Sequence, residues 1–124
     1  MKIKLSRTDT YFPKWNGNRD LSDAEQVSVE YRYMTCEEEE KWSLIRPVYN
    51  TKDGEGEVRV DYSTHANDIW DACVLKVNGL AGDDGKEITA PKEIRKVPGI
   101  YGLVTEVVAE IKQGLTETER KNSA

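Results

Sequence analysis

Apolar residues alternate along the first half of this chain and recur every third or fourth position along much of the second. Val27, Val29, Tyr31 and Tyr33 share one side of Glu25–Met34, while Ser28, Glu30 and Arg32 share the other. A period of two predicts a strand with one buried and one wet face, as in an antiparallel sheet. Met1–Leu5 alternates too, with Ile3 and Leu5 on one side, and predicts a short first strand. Leu44–Asn50 and Glu57–Tyr62 predict a hairpin, joined through the turn pair Asp53-Gly54. Pro47 cannot donate to a strand ladder, so Leu44–Asn50 is expected at an edge.

Helical spacing takes over at Ser63–Gly79, where Ala66, Ile69, Trp70, Cys73, Val74 and Val77 form a stripe. Ser63 or Thr64 can cap its start and Gly79 its end. The clearest stripe lies in Pro98–Leu115: Ile100, Leu103, Val104, Val107, Val108, Ile111 and Leu115. Pro98 and Gly99 mark the start of that helix, and Gly114 marks its end. Two shorter helices are expected. Thr35 with Glu38 forms a capping box before Cys36–Ser43, and Pro91 fits the first turn of Thr89–Val97. Between strands and helices, Tyr11–Asp20 is irregular, broken by Pro13 and the turn pair Asn16-Gly17. Ala81–Glu87 is a turn.

These elements predict an α+β fold: a small, mainly antiparallel sheet from the first half, packed against two main amphipathic helices from the second. The 124 residues fit a single domain over residues 1–115, followed by a polar, flexible tail over residues 116–124. The long stripe must bury itself against the chain's own body, a second copy or a partner.

Charge narrows the functions on offer. The net charge is −5, and the most uniform charge run, Glu37–Glu40, is acidic. No basic stripe for nucleic acid is visible, and an anionic membrane surface would repel this balance. The N-terminus lacks the apolar core of a signal peptide, and no apolar run approaches the ~20 residues that span a bilayer. A cytoplasmic location is expected. Cys36 and Cys73 then fit two free thiols, although one disulfide between them is arithmetically open.

Candidate chemistry is sparse. His65 is the sole histidine and fits a surface or capping role, since a zinc site needs about four ligands. Glu37–Glu40 point in different directions on a helix and cannot converge on one ion. Asp83, Asp84 and Gly85 lack the ligand spacing of a calcium loop. Cys73 lies on an apolar stripe, and acids follow Cys36, which disfavours a thiolate there. No phosphate loop, dinucleotide fingerprint or nucleophile elbow occurs. No catalytic, metal or cofactor site is predicted. Trp70 fits a core; Trp42 stays open between core and contact roles. Tyr11, Phe12 and Trp15 either pin their loop or form an exposed aromatic contact.

The two ends of the chain carry a family resemblance. KIKLSRTDTYFPKWNGNRDLSDAEQVSVEYRY joins a lysine-rich first strand to an aromatic-proline-tryptophan-Asn-Gly-Asn turn and a strand. PGIYGLVTEVVAEI is followed by LTETERKNS. Together they resemble the tail assembly chaperones of long-tailed bacteriophages and prophages. The resemblance covers both ends and, loosely, the middle; it does not rest on Lys41–Ser63. The resemblance implies a non-enzymatic protein without cofactors, in the cytoplasm of a bacterial host. It would coat the helical tape-measure protein before tail-tube subunits polymerise, so the tape-measure and tail-tube proteins are the implied partners. A homo-oligomer is compatible with it. It also implies a longer frameshifted product, with a slippery A-rich run near Arg120–Asn122. Contact candidates are Ile100, Leu103, Val104, Val107 and Val108, with Trp42, Tyr11, Phe12 and Trp15. The alternative is a tail-completion or head-tail joining protein that stays in the particle. A weaker third reading is an enzyme whose site is assembled from scattered residues.

Overall fold

The computed structural model describes residues 1–42, 46–50, 57–61 and 65–122, with side chains described over 1–42 and 65–113. Ser28–Arg32 forms β2, the middle strand of a three-stranded antiparallel sheet. Thr8–Tyr11, β1, pairs along one side, with Thr8 opposite Arg32 and Tyr11 opposite Val29. Val74–Asn78, β5, pairs along the other. Arg46–Asn50 (β3) and Glu57–Asp61 (β4) form the separate antiparallel hairpin. Its connection, with Asp53-Gly54, lies outside the described residues, as do Leu44 and Tyr62.

The helices follow from local capping and from one apolar stripe. In α1, Cys36–Trp42, the Thr35 hydroxyl accepts the Glu38 N–H at 3.2 Å and Glu38 accepts the Thr35 N–H at 3.0 Å. That is the expected capping box. Ala66–Cys73 forms α2, and Pro91–Ile94 forms α3 with proline in its first turn. Tyr101–Asn122 forms α4, which packs against α2. One face of the sheet supplies Val29, Tyr31, Val74 and Val77 to the core. Ile69, Trp70 and Cys73 of α2, Ile94 of α3 and the α4 stripe close over them. The fold is α+β, a small antiparallel sheet with α2 and α4 packed together.

Several boundaries differ from expectation: α3 covers only Pro91–Ile94 of Thr89–Val97, and α4 continues over residues 116–122, where the sequence predicts a flexible tail. The first strand is Thr8–Tyr11, not Met1–Leu5. Beyond Tyr33, the chain of β2 turns into α1, so among the described residues Met1–Leu5 has no strand beside it. The helix expected over Ser63–Gly79 stops at Cys73, and Val74 opens a strand. The pairing shifts by one residue between Glu30 and Tyr31, and Leu75 is the extra residue. This bulge buries both Val74 and Val77, three residues apart, while Leu75 and Lys76 stay exposed. Their spacing therefore imitates a helix. Finally, Gly114 does not end α4; it lies inside it. Of the proposed caps of α2, Ser63 and Thr64 lie outside the described residues. His65 occupies the cap position in a left-handed conformation, with φ 60°.

Candidate partner-binding surface

The two ends of the chain meet at the start of α4. Tyr11, the last residue of β1, donates its hydroxyl to Glu106 at 2.7 Å. The Lys14 N–H donates to the same carboxylate oxygen at 2.6 Å. One turn earlier on α4, Gly102 faces Trp15 so closely that an added Cβ would lie 3.3 Å from the indole ring. Between these contacts, Trp15–Asp20 forms a 3-10 helix. It contains two left-handed residues, Asn16 at φ 51° and Gly17 at φ 70°. Asn tolerates that region better than most residues with a side chain, and glycine meets no penalty there.

Asn18 fixes this turn to the sheet. Its side chain is buried and donates to the Pro13 and Val27 carbonyls, both at 2.9 Å. Its Oδ1 accepts the Val27 N–H at 2.6 Å. Every polar atom of the amide is satisfied, which is what burial of an amide requires. Arg19 donates to the Phe12 carbonyl at 2.9 Å and stands over the Tyr11 ring. Burial and the Glu106 carboxylate push the Tyr11 hydroxyl well above its ordinary pKa. The phenol stays protonated and keeps donating.

The predicted contact residues divide sharply. Ile100, Leu103, Val104, Val107 and Val108 are buried in the chain's own core, on the helix that packs against α2. Of the three partners open to that stripe, the chain's own body covers it. Tyr11 and Trp15 are half-buried and packed on the edge of that core. Trp42 also packs at the core margin, with the Lys41 ammonium 5.2 Å from its ring centre. Phe12 is 46% exposed. Tyr101, at the start of α4, is 66% exposed and was not among the candidates. It sits where an apolar stripe begins, so the stripe pattern alone assigns it no role. Glu106 falls on the polar side of the helix by spacing, yet it is the anchor for two N-terminal donors. Nothing in helical periodicity distinguishes it from Glu110.

Cys36 is an exposed free thiol, and Cys73 is a buried one. Burial pushes the Cys73 thiol up to about 11. His65 lies 3.6 Å from Asp68 on the same helical turn. Trp70 is fully buried, and its indole N–H donates to the Pro91 carbonyl at 2.7 Å. Asp71 pairs with Arg95 at 2.8 Å. Among the described residues no group of His, Cys, Asp and Glu side chains is placed to hold a metal ion. No helix among them is long and apolar enough to cross a membrane.

The described residues bring together a braced aromatic turn and the first turn of α4, with Phe12 exposed on the turn and Tyr101 exposed on the helix. No family model matches the chain, and no curated protein and no solved structure matches it either.

Proposed function

We propose that this chain is a non-enzymatic phage tail assembly chaperone that binds the tape-measure protein and keeps it soluble until tail-tube subunits enclose it. The observation that carries the reading is the joint at Glu106, which accepts both Tyr11 and Lys14. The resemblance rests on two stretches far apart in sequence, the aromatic-Pro-Trp-Asn-Gly-Asn turn and the Pro-Gly-led helix. Here they contact each other as one unit, so a single surface can draw on both. Phe12 and Tyr101 give that surface an apolar component, and aromatic anchors suit a partner helix. The net charge of −5 supports solubility of a complex through mutual repulsion.

The test is co-expression with a large, helical tape-measure protein. The reading expects the large protein in the soluble fraction only when this chain is present, and a stable pair on size-exclusion chromatography. Phe12→Ala with Tyr101→Ala should return it to the pellet while leaving this chain folded. Retention of the chain in purified particles would point instead to a joining or completion protein. A tape-measure protein that is soluble alone would remove the proposal.

A further inference from the structure

We propose that Lys2–Thr8 is a docking strand for an extended segment of a partner protein that alternates apolar and acidic residues. The site is separate from the Glu106 joint and does not depend on the tail-assembly reading.

The backbone comes first. Arg7 follows the register of β1 and lies opposite Tyr33, whose N–H donates to the Arg7 carbonyl at 2.9 Å. In an antiparallel ladder the bonded residues alternate, so Arg7, Asp9 and Tyr11 turn their backbone groups toward β2. Thr8 turns its N–H and carbonyl outward, along an edge that no other strand covers among the described residues. Thr10 shares that outward direction, but its N–H is taken by the Asp9 carboxylate at 2.8 Å. The open edge therefore ends at Thr8 and runs back through Arg7 and Ser6; the chain bends at Leu5, so a peptide that pairs back to Lys2 must straighten it there. An extended peptide can add there by strand pairing.

Side chains then set the chemistry of the occupant. Ile3 is 77% exposed and Leu5 is 96% exposed, on alternate positions of a segment with no strand beside it. Leu5, Tyr33 and Met34 contribute to a groove of about 280 Å³, with Lys4 and Arg7 beside them. Lys2, Lys4 and Arg7 make this stretch cationic, with no acid before Asp9, although the chain as a whole is acidic. The Arg7 guanidinium stands over the Tyr33 ring, 4.7 Å from its centre. Apolar side chains flanked by lysine call for an apolar segment flanked by carboxylates. A second copy is the poorer occupant, because pairing the same edges would bring cationic segments together.

The full chain is titrated with a short synthetic peptide alternating valine and glutamate, and with a control carrying lysine for glutamate. The glutamate peptide should bind, and the Thr8 amide should gain hydrogen-exchange protection on binding. Lys2→Glu with Lys4→Glu should weaken binding about tenfold, as should molar salt. Leu5→Asp should weaken it also. All three positions are exposed, and unchanged circular dichroism and thermal midpoint establish that these variants fold. Equal binding of both peptides, no binding of either, or binding without protection at Thr8 overturns the proposal. So does sedimentation showing a dimer that Leu5→Asp dissociates, which would make a second copy the occupant.

Discussion

The Tyr11 hydroxyl and the Glu106 carboxylate lie 2.7 Å apart although 95 residues separate them in sequence. The same oxygen holds the Lys14 N–H, so one carboxylate fastens both the end of β1 and the turn after it to α4. Hydrogen bonds to charged acceptors contribute about 1.5–3 kcal/mol when partly buried. Tyr11→Phe should therefore cost about 1–2 kcal/mol in urea unfolding. Glu106→Ala, which frees two donors, should cost more than Tyr11→Phe, and Glu106→Gln less than Glu106→Ala. A double-mutant cycle in which the two losses simply add would show that the pair is not coupled.

Asn18 is the more demanding joint. Removing its amide leaves two carbonyls and one N–H of Pro13 and Val27 without partners inside the protein. Each unsatisfied buried group costs about 1–3 kcal/mol, less where water enters. Asn18→Ala should lower stability by about 3 kcal/mol. Asn18→Asp keeps the acceptor for Val27 N–H but turns a carboxylate toward two carbonyls, so it should also destabilise, most at neutral pH. Equal thermal midpoints for Asn18→Ala and the parent would show that the turn is not anchored this way.

Two glycines with left-handed backbones separate strain from crowding. Gly79 has φ 81° and Gly85 has φ 78°. An added Cβ at Gly79 would lie 2.6 Å from the Gln26 carbonyl oxygen, whereas nothing lies within 4 Å at Gly85. Gly85→Ala should cost about 1 kcal/mol, from backbone conformation alone. Gly79→Ala should cost about 2–3 kcal/mol, because β5 and the Gln26–Val27 backbone must also part. Chemical denaturation of both variants measures the difference.

The alternation of Val27, Val29 and Tyr31 made β2 legible because one face of that strand is buried and the extra residue of the bulge lies on β5, leaving the period of β2 itself intact. The α4 stripe was legible for the same reason: one partner surface, one period. The helix-to-strand switch at Val74 was not. A bulge at Leu75 puts two buried valines three residues apart, and a spacing of three reads as helix. No glycine or proline punctuates the switch. Met1–Leu5 misled in the opposite sense, since alternation cannot say whether a neighbouring strand exists. The contact candidates on α4 failed as surface because a stripe records only that it must be covered. The covering body here includes Trp70, Ile69 and Cys73. Glu106 was beyond reach, since its partners come from the other end of the chain.

Glu38 supplies a pH dependence of known sign. It pairs with Arg32 through two hydrogen bonds, at 2.6 and 2.7 Å, and accepts the Thr35 N–H. The Arg32 guanidinium, helped by Thr35, holds its carboxyl down at about 2. An unfolded glutamate titrates near 4.3. A folded value below the unfolded one means that the stabilisation is complete above about pH 5 and is lost as pH falls toward about 2. The pair is partly open to solvent, which limits the loss to about 1–2 kcal/mol. Glu38→Gln should be less stable than the parent at pH 7 by about that amount, and nearly equal to it near pH 2. Parallel stability curves for the two proteins across that range would rule out Glu38 as the source.

Burial of the α4 stripe and exposure at its first residue allow folding and partner binding to be separated on one helix. Leu103 is fully buried in the core that α4 closes with α2, so Leu103→Ala should cost about 2–5 kcal/mol. Any loss of partner binding would then follow from loss of fold, and should recover at lower temperature or with a stabilising osmolyte. Tyr101 is exposed, so Tyr101→Ala should change stability by no more than about 0.5 kcal/mol. If the surface beside the Glu106 joint receives the tape-measure helix, Tyr101→Ala should lower the soluble yield of that partner at unchanged thermal midpoint. Unchanged yield with Tyr101→Ala and Phe12→Ala combined would remove this surface from the binding account. A mixed result, yield lost only with Leu103→Ala, would mean that the fold matters but this patch does not.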